Sequence, residues 1–351
     1  MRRGGRPLDL EPDVTLQDLA DGIVEDHGFL PIDGVQLAFA RSRPWLTEGG
    51  AACDLDRGRC IGRILFIGPI GAERERAHRT MVELSRQLAQ RGYEVLRYDH
   101  RGVGESTGTF EEATIGLWTD DARRVLHAFR STNETDARTM IVGVRIGALI
   151  GGELFAEGLG DAAIFIGAGD GRSLLRDASR RALVAGLVHE GHSPTGVGTA
   201  RARTGSSAVA AGAVARIDGY LWTPRLVEEA EAHRFPTPGR DEPRPWARFE
   251  LSGEAAPRET GAQTRDARHR PDNRPACEDR SDSGDRCSNA GSSEGLSRTR
   301  RVRARRFWES SPRLVPEDHA LIDAIASWIE GNALASAGAR NGSGVDACTP
   351  R

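Results

Sequence analysis

Between residues 60 and 170, short unbroken apolar runs alternate with longer stretches in which apolar residues recur every three or four places. The first pattern predicts strands buried on both faces, the second helices packed along one side. Residues 63–67 (RILFI) form such a run, and residues 75–91 set Ala77, Met81, Leu84 and Leu88 at helical spacing before Gly92, a natural helix stop. The alternation continues with a strand at 94–98, a helix at 115–129, a strand at 139–142, a helix at 146–155 and a strand at 162–166. Strand–helix alternation of this kind predicts an α/β fold with a mostly parallel sheet joined by crossover helices.

The flanks have other patterns. Residues 27–43 predict a β-hairpin turned at Asp33-Gly34, a pair suited to a tight primed turn. Before it, residues 1–26 are polar apart from a short amphipathic piece around 16–24, and a flexible segment is expected. A Gly- and charge-rich loop occupies 47–59. After Ala168 the pattern loosens: 172–188 can form a helix, 189–215 are rich in Gly, Ala, Ser and Thr, and a loose cap is expected over about 170–225. A core strand is expected at 248–251. Residues 254–300 hold almost no aliphatic side chains, too few to offset the entropy of ordering, so a long disordered insertion is expected there. A last strand over 301–309 and a helix over 317–330, with Leu321, Ile322, Ile325, Trp328 and Ile329 on one face, complete the expected core. The organisation is thus a core over 27–253 and 301–331, with a flexible tail over 332–351.

Composition narrows the classes. A hydrophobic content of 38% with 42 glycines is low for a chain packed from end to end, in keeping with a compact core plus loose sequence. Its 48 basic and 51 acidic residues nearly cancel, so no global field draws in nucleic acid or an anionic membrane. The interleaved acids and missing aromatics of 254–300 likewise point to a solvated linker rather than a nucleic-acid arm. The odd number of cysteines, 5, and their spacing fit neither a zinc pair nor a redox motif. Cys53 and Cys60 could pair or remain reduced loop thiols. The basic start MRRGGRPLDLEPDV has no apolar run behind it, and no stretch approaches a membrane span. A soluble cytoplasmic protein with no cofactor and no metal is the expectation.

Two motifs could carry chemistry. Gly104-Glu105-Ser106-Thr107-Gly108 is a literal G-x-S-x-G, but Ser106 lies well past its strand and Thr-Gly-Thr-Phe follows where a nucleophile needs a helix. It serves either as a nucleophile or as a Gly-rich loop at a pocket edge. Ile141-Val142-Gly143-Val144-Arg145-Ile146-Gly147-Ala148 has the short strand, the flanking glycines and the immediate helix of a nucleophile elbow, with Arg145 in the central place. Glu73, Glu75, His78 and Arg79 open the helix beside the same edge; one His among arginines argues against a metal, and they are expected at the surface or on a pocket rim.

The run Gly68-Pro69-Ile70-Gly71-Ala72-Glu73-Arg74-Glu75-Arg76-Ala77-His78-Arg79, the segment RGYEVLRYDHRGVGESTG and the elbow resemble the serine-aminopeptidase-like α/β hydrolases. Within that group they are most similar to the hydrolases associated with exosortase systems, which accompany exopolysaccharide export and protein sorting. Asp218-Gly219-Tyr220-Leu221, Thr223-Pro224 and Phe307-Trp308-Glu309 fit the same group. The resemblance covers about 60–170 well, touches 215–252 and 301–330, and leaves 254–300 unmatched. It implies the α/β-hydrolase fold and a hydrolase of ester, thioester or amide bonds acting on an acyl substrate. It puts the nucleophile at Arg145, oxyanion-hole amides at Ile70 or Gly71 and at Ile146, and the general base at His319. The acid should follow the strand at 248–251, where only Glu250 and Glu254 stand nearby.

A guanidinium holds its proton and has no usable lone pair, so Arg145 cannot replace serine. At a helix N-terminus it is opposed by the dipole by a few tenths to ~1 kcal/mol, which an acidic partner or bound anion would offset. Three readings follow: Arg145 plugs a dead pocket through Asp99, Asp120 or Asp170; it binds a carboxylate or phosphate; or catalysis is unconventional, through Ser106 or a His319-activated water. His319 could equally be an exposed residue of a first helical turn. The functional alternatives are a hydrolase and an inactive hydrolase-like protein that holds an anionic small molecule or a protein partner in polysaccharide or surface-protein assembly.

Overall fold

A computed structural model describes residues 10–18, 21–45, 60–131, 137–190, 215–217, 219–239, 241–251, 297–304, 306–309 and 316–333. Three antiparallel strands come first, β1 (Val14–Asp18), β2 (Ile23–Ile32) and β3 (Val35–Pro44). They are followed by β4 (Gly62–Ile67), α1 (Gly71–Gln90), β5 (Tyr93–Tyr98), α2 (Ile115–Ser131), β6 (Thr139–Val144), α3 (Ile146–Ala156), β7 (Ala162–Ile166) and α4 (Gly171–Glu190). A small hairpin, β8 (Ala215–Ile217) and β9 (Tyr220–Trp222), precedes α5 (Pro224–Ala232), β10 (Trp246–Leu251), β11 (Ser297–Val302) and α6 (Pro316–Ala333).

The main sheet has the order β1-β2-β3-β5-β4-β6-β7-β10-β11, parallel from β5 to β11. β4 and β6, the central strands, are buried at every residue, which accounts for their unbroken apolar runs. Alternate side chains sort onto two faces. Ile64, Phe66, Val95, Val142 and Val144 pack under α1 and α6, while Leu65, Ile67, Leu96, Tyr98 and Ile141 pack under α2 and α3. From β4 the chain runs outward to β5, and from β6 it runs the other way to β7. The carboxyl edge between β4 and β6 is therefore a switch point, where open α/β sheets leave a crevice.

The predicted core elements lie within a few residues of their observed bounds, and the hairpin turns at Asp33 (φ 45) and Gly34 (φ 82) as expected. Two expectations fail. Part of the segment expected to be flexible is ordered: β1 pairs with β2 along Val14–Asp18, and β2 begins at Ile23. β1 escapes a periodicity reading because it is an edge strand exposed at all five residues, joined to β2 by main-chain bonds and by one side-chain bond from Thr15 to Asp26. The last strand is Ser297–Val302, not 301–309; its arginines SRTRRV hide it, whereas Phe307 and Trp308 follow the strand in a turn and are buried there. Most of the expected insertion (252–296), the loose run 191–214 and the tail 334–351 lie outside the described residues.

Candidate active site

The elbow forms at the switch point. Arg145 ends β6 with φ 57 and ψ −115, a non-glycine residue at positive φ, and α3 starts on the next residue. Such a backbone costs about 1–3 kcal/mol and persists only where its surroundings force it. Here the Arg145 amide donates to the Ile166 carbonyl at 3.0 Å, and its own carbonyl accepts from Ala148 at 3.0 Å. The flanking glycines are obligatory. A Cβ on Gly143 would lie 2.4 Å from the Gly147 carbonyl oxygen, and one on Gly147 would lie 2.0 Å from that of Ile67. The sequence therefore builds the strained turn in full and changes only the side chain it presents.

That side chain is buried and fully engaged. Nε of Arg145 donates to both Glu73 carboxylate oxygens at 3.1 and 3.3 Å, one terminal nitrogen reaches Asp177 Oδ2 at 3.0 Å, and the other reaches the Gly167 carbonyl at 3.4 Å. Arg181 approaches Glu73 at 2.6 Å from the opposite side. The Trp308 ring covers the guanidinium, its centroid 5.3 Å away. Burial raises the Glu73 carboxyl above its ordinary value against the pull of Arg145 and Arg181, so its charge depends on both arginines. Helix ends explain the pairing: Glu73 in the first turn of α1 is favoured by that dipole and offsets the unfavourable place of Arg145 before α3.

The acids expected to hold Arg145 are committed elsewhere: Asp99 to Arg74, Asp120 to Arg123, and Asp170 to the Phe235 amide. Glu73, expected at the surface or on a pocket rim, is 8% exposed and borders the small cavity at the elbow, because α1 begins four residues earlier than the apolar spacing suggests. Glu75, His78 and Arg79 are exposed, as expected.

Ser106 does not face the elbow chemistry. Its Oγ donates to the Asp99 carbonyl at 2.7 Å and accepts from the Ala38 amide at 2.9 Å, so it fastens the loop after β5 onto β3. His319 is exposed in the first turn of α6, and the residue after β11 that touches Arg145 is Trp308. Glu250 pairs with Arg248 and Arg301 at 3.6 and 3.7 Å, and Glu254 lies outside the described residues. The amides of Ile70, Gly71 and Ile146 do converge at two helix starts and donate to no other described residue. Yet the Tyr220 ring lies 3.4 Å from where a Gly71 Cβ would be, and the cavity bounded by Ile70, Gly71, Glu73 and Ile146 measures only about 30 Å³. Behind it, His100 is buried with Nε2 3.0 Å from the Gly68 carbonyl, and burial depresses its imidazole despite that bond.

Sequence reasoning missed Asp177, Arg181 and Trp308. Asp177 and Arg181 sit one helical turn apart on α4, a spacing that carries no distinctive signal. Among the described residues no cluster of three metal-ligating side chains occurs, and no helix is long and apolar enough to cross a membrane.

Sheet order, crossover helices and the strained elbow together define the α/β-hydrolase fold. The family model for serine aminopeptidase, S33, matches residues 75–169, from α1 through the elbow to just past β7. No curated protein matches the chain in sequence. Est1E from Butyrivibrio proteoclasticus, solved with ferulic acid bound, superposes with a TM-score of 0.51 at 13% identity over 87% of this chain and 98% of that one. A protein of Agrobacterium vitis S4 described as a hydrolase gives 0.46 at 17% identity over 88% and 98%. Proline iminopeptidase of Mycobacterium smegmatis gives 0.43 at 14% identity over 89% and 100%. The chain has the hydrolase fold, and these likenesses extend no further than the fold.

Proposed function

We propose that this protein is a catalytically silent α/β-hydrolase-fold protein that holds a ligand or partner and cleaves no bond at its elbow. One observation carries the reading: the central elbow side chain is a buried arginine neutralised by Glu73 and Asp177 beneath Trp308. A serine there would need a base within hydrogen-bond reach, and His319 is exposed while Ser106 is spent on backbone groups. Of the uses open to Arg145, the plug has the geometry on its side. An anion entering this cavity would have to displace Glu73 and find space in about 30 Å³. The resemblance to exosortase-associated hydrolases supports work in the cytoplasm beside polysaccharide export or protein sorting.

A fluorophosphonate probe and a panel of short acyl esters, thioesters and aminoacyl amides test this. The wild-type protein is expected to give neither labelling nor turnover, and Arg145→Ser to remain silent because no base is in place. Turnover by the wild type that disappears in Ser106→Ala or His319→Ala would establish the alternative, a hydrolase with a relocated catalytic set. The amides of Ile70, Gly71 and Ile146 support that alternative, since they donate to no other described residue and would be open to an oxyanion.

A further inference from the structure

A second cavity lies away from the elbow, on the α1 face of the sheet. It is a cleft of about 400 Å³ between α1 and the β2–β3 hairpin. Its floor follows from strand register. His27, Ala40 and Arg97 stand in one cross-strand row, and Ala38 lies two residues from Ala40 on the same face. Two alanines in β3 leave a hollow that larger residues would fill. Its wall is one face of α1, where Arg74, His78, Val82 and Arg86 recur at four-residue spacing.

Three arginines, Arg74, Arg86 and Arg97, and three carboxylates, Glu25, Asp99 and Glu105, line the cleft, so its charge balances in number but not in pairing. Arg74 forks onto Asp99 at 2.7 and 2.6 Å, and Arg86 places Nε and a terminal nitrogen on Glu25 at 3.1 and 2.5 Å. Arg97 rises from the floor between these pairs, its Nε sealed from solvent without a hydrogen-bond partner, and no ion pair reaches it from the described residues. Burial pulls this guanidinium down to about 10, so it remains a cation at neutral pH. His78 is depressed by burial, by Arg97 and by Arg74, and lies at the rim uncharged. Leu16, Met81 and Val82 add apolar surface to its lining.

We propose that this cleft is a binding site for a small monocarboxylic acid with an apolar body, its carboxylate forked onto Arg97. A planar carboxylate matches a guanidinium edge with two parallel hydrogen bonds. A carboxylate brings one negative charge to the arginine that lacks an ion-pair partner among the described residues, whereas a phosphate dianion would bring a second against Glu105, Asp99 and Glu25. A hollow of this size with few polar groups suits a small molecule. The site shares no residue with the elbow network, so it stands or falls apart from the reading of the elbow.

The test is calorimetric titration of the full chain with hexanoate and phenylacetate, with inorganic phosphate as a parallel arm at constant ionic strength. Saturable binding of at least one acid at one site per chain is expected, with phosphate at least tenfold weaker. Arg97→Met should weaken binding at least tenfold while melting no lower than the wild type. Ala40→Leu, which fills the floor without adding or removing a charge, should also abolish it. Asp177→Asn, which frees one edge of Arg145, should leave it unchanged. Absence of saturable binding with both acids, retained affinity in Arg97→Met or Ala40→Leu, phosphate as tight as the carboxylates, or a gain in Asp177→Asn would each overturn the assignment.

Discussion

Two arginines at the carboxyl edge of one sheet, Arg145 buried and Arg97 half-buried, have opposite surroundings. Arg145 follows β6 and meets two carboxylates, a carbonyl and an indole face. Arg97, next to last in β5, opens onto about 400 Å³ and meets no carboxylate of the described residues within pairing distance. A buried cation that is paired is part of the structure; one left unpaired is destabilising in the empty protein and becomes favourable only when an anion arrives. Position on the fold would assign function to Arg145, and electrostatics assigns it to Arg97.

The most severe way to break this contrast is to remove each cation in turn. Arg145→Met leaves Glu73 buried with Arg181 as its remaining partner, and should cost roughly 3 kcal/mol of stability by analogy with broken buried pairs. Arg97→Met should be neutral or stabilising, since no partner is orphaned. Denaturant titration of both variants decides it. Equal losses would mean that Arg97 has a structural partner after all, or that the elbow pair contributes little.

A second prediction sharpens the charge count. Glu25 is buried beside Arg86 and Ser42, and although burial works to raise its carboxyl, those bonds and charges hold it below its ordinary value. With the folded value depressed, its stabilisation is complete above the usual carboxylate range and is lost as pH falls through the depressed value. Stability should therefore decline below about pH 4, and Glu25→Gln should flatten that decline while costing about 1–3 kcal/mol at neutral pH. In the same variant Arg86 becomes a second unpaired cation in the cleft, so phosphate should gain on the monocarboxylates. Unchanged discrimination in Glu25→Gln would show that charge balance does not select the ligand.

Much of this was legible in the sequence, for physical reasons. Central parallel strands such as β4 and β6 are apolar throughout because both faces are covered, and the elbow glycines are fixed by steric clashes that any substitution would create. β1 and β11 were not legible. Their residues are bound by main-chain hydrogen bonds, so neither apolar period nor propensity marks them. The site was half legible: Arg145 stood out, but Glu73 and Asp177 became its partners only through the packing of α1 and α4. Arg97 did carry a signal, a charge inside an otherwise buried parallel strand, Tyr93–Tyr98, where every neighbour has a hydrophobic or ion-paired place. Ser106 is the converse case, a motif whose letters match and whose backbone does not.

The smallest predicted effect separates the two regions at Ser106. Its hydroxyl ties the Asp99 carbonyl to the Ala38 amide, and so holds the loop bearing Asp99 and Glu105 against the cleft floor. Ser106→Ala leaves that buried amide without its acceptor, a loss of about 1 kcal/mol. Because Asp99 positions Arg74, the same change should loosen the cleft wall and weaken hexanoate binding a few-fold. At the elbow nothing should alter: Arg145 bonds no residue of this loop, so the behaviour toward a fluorophosphonate probe should match that of the wild type. A few-fold change in carboxylate affinity without any change in probe reactivity would assign Ser106 to the cleft. A change in probe reactivity with affinity intact would return it to the chemistry its motif suggests.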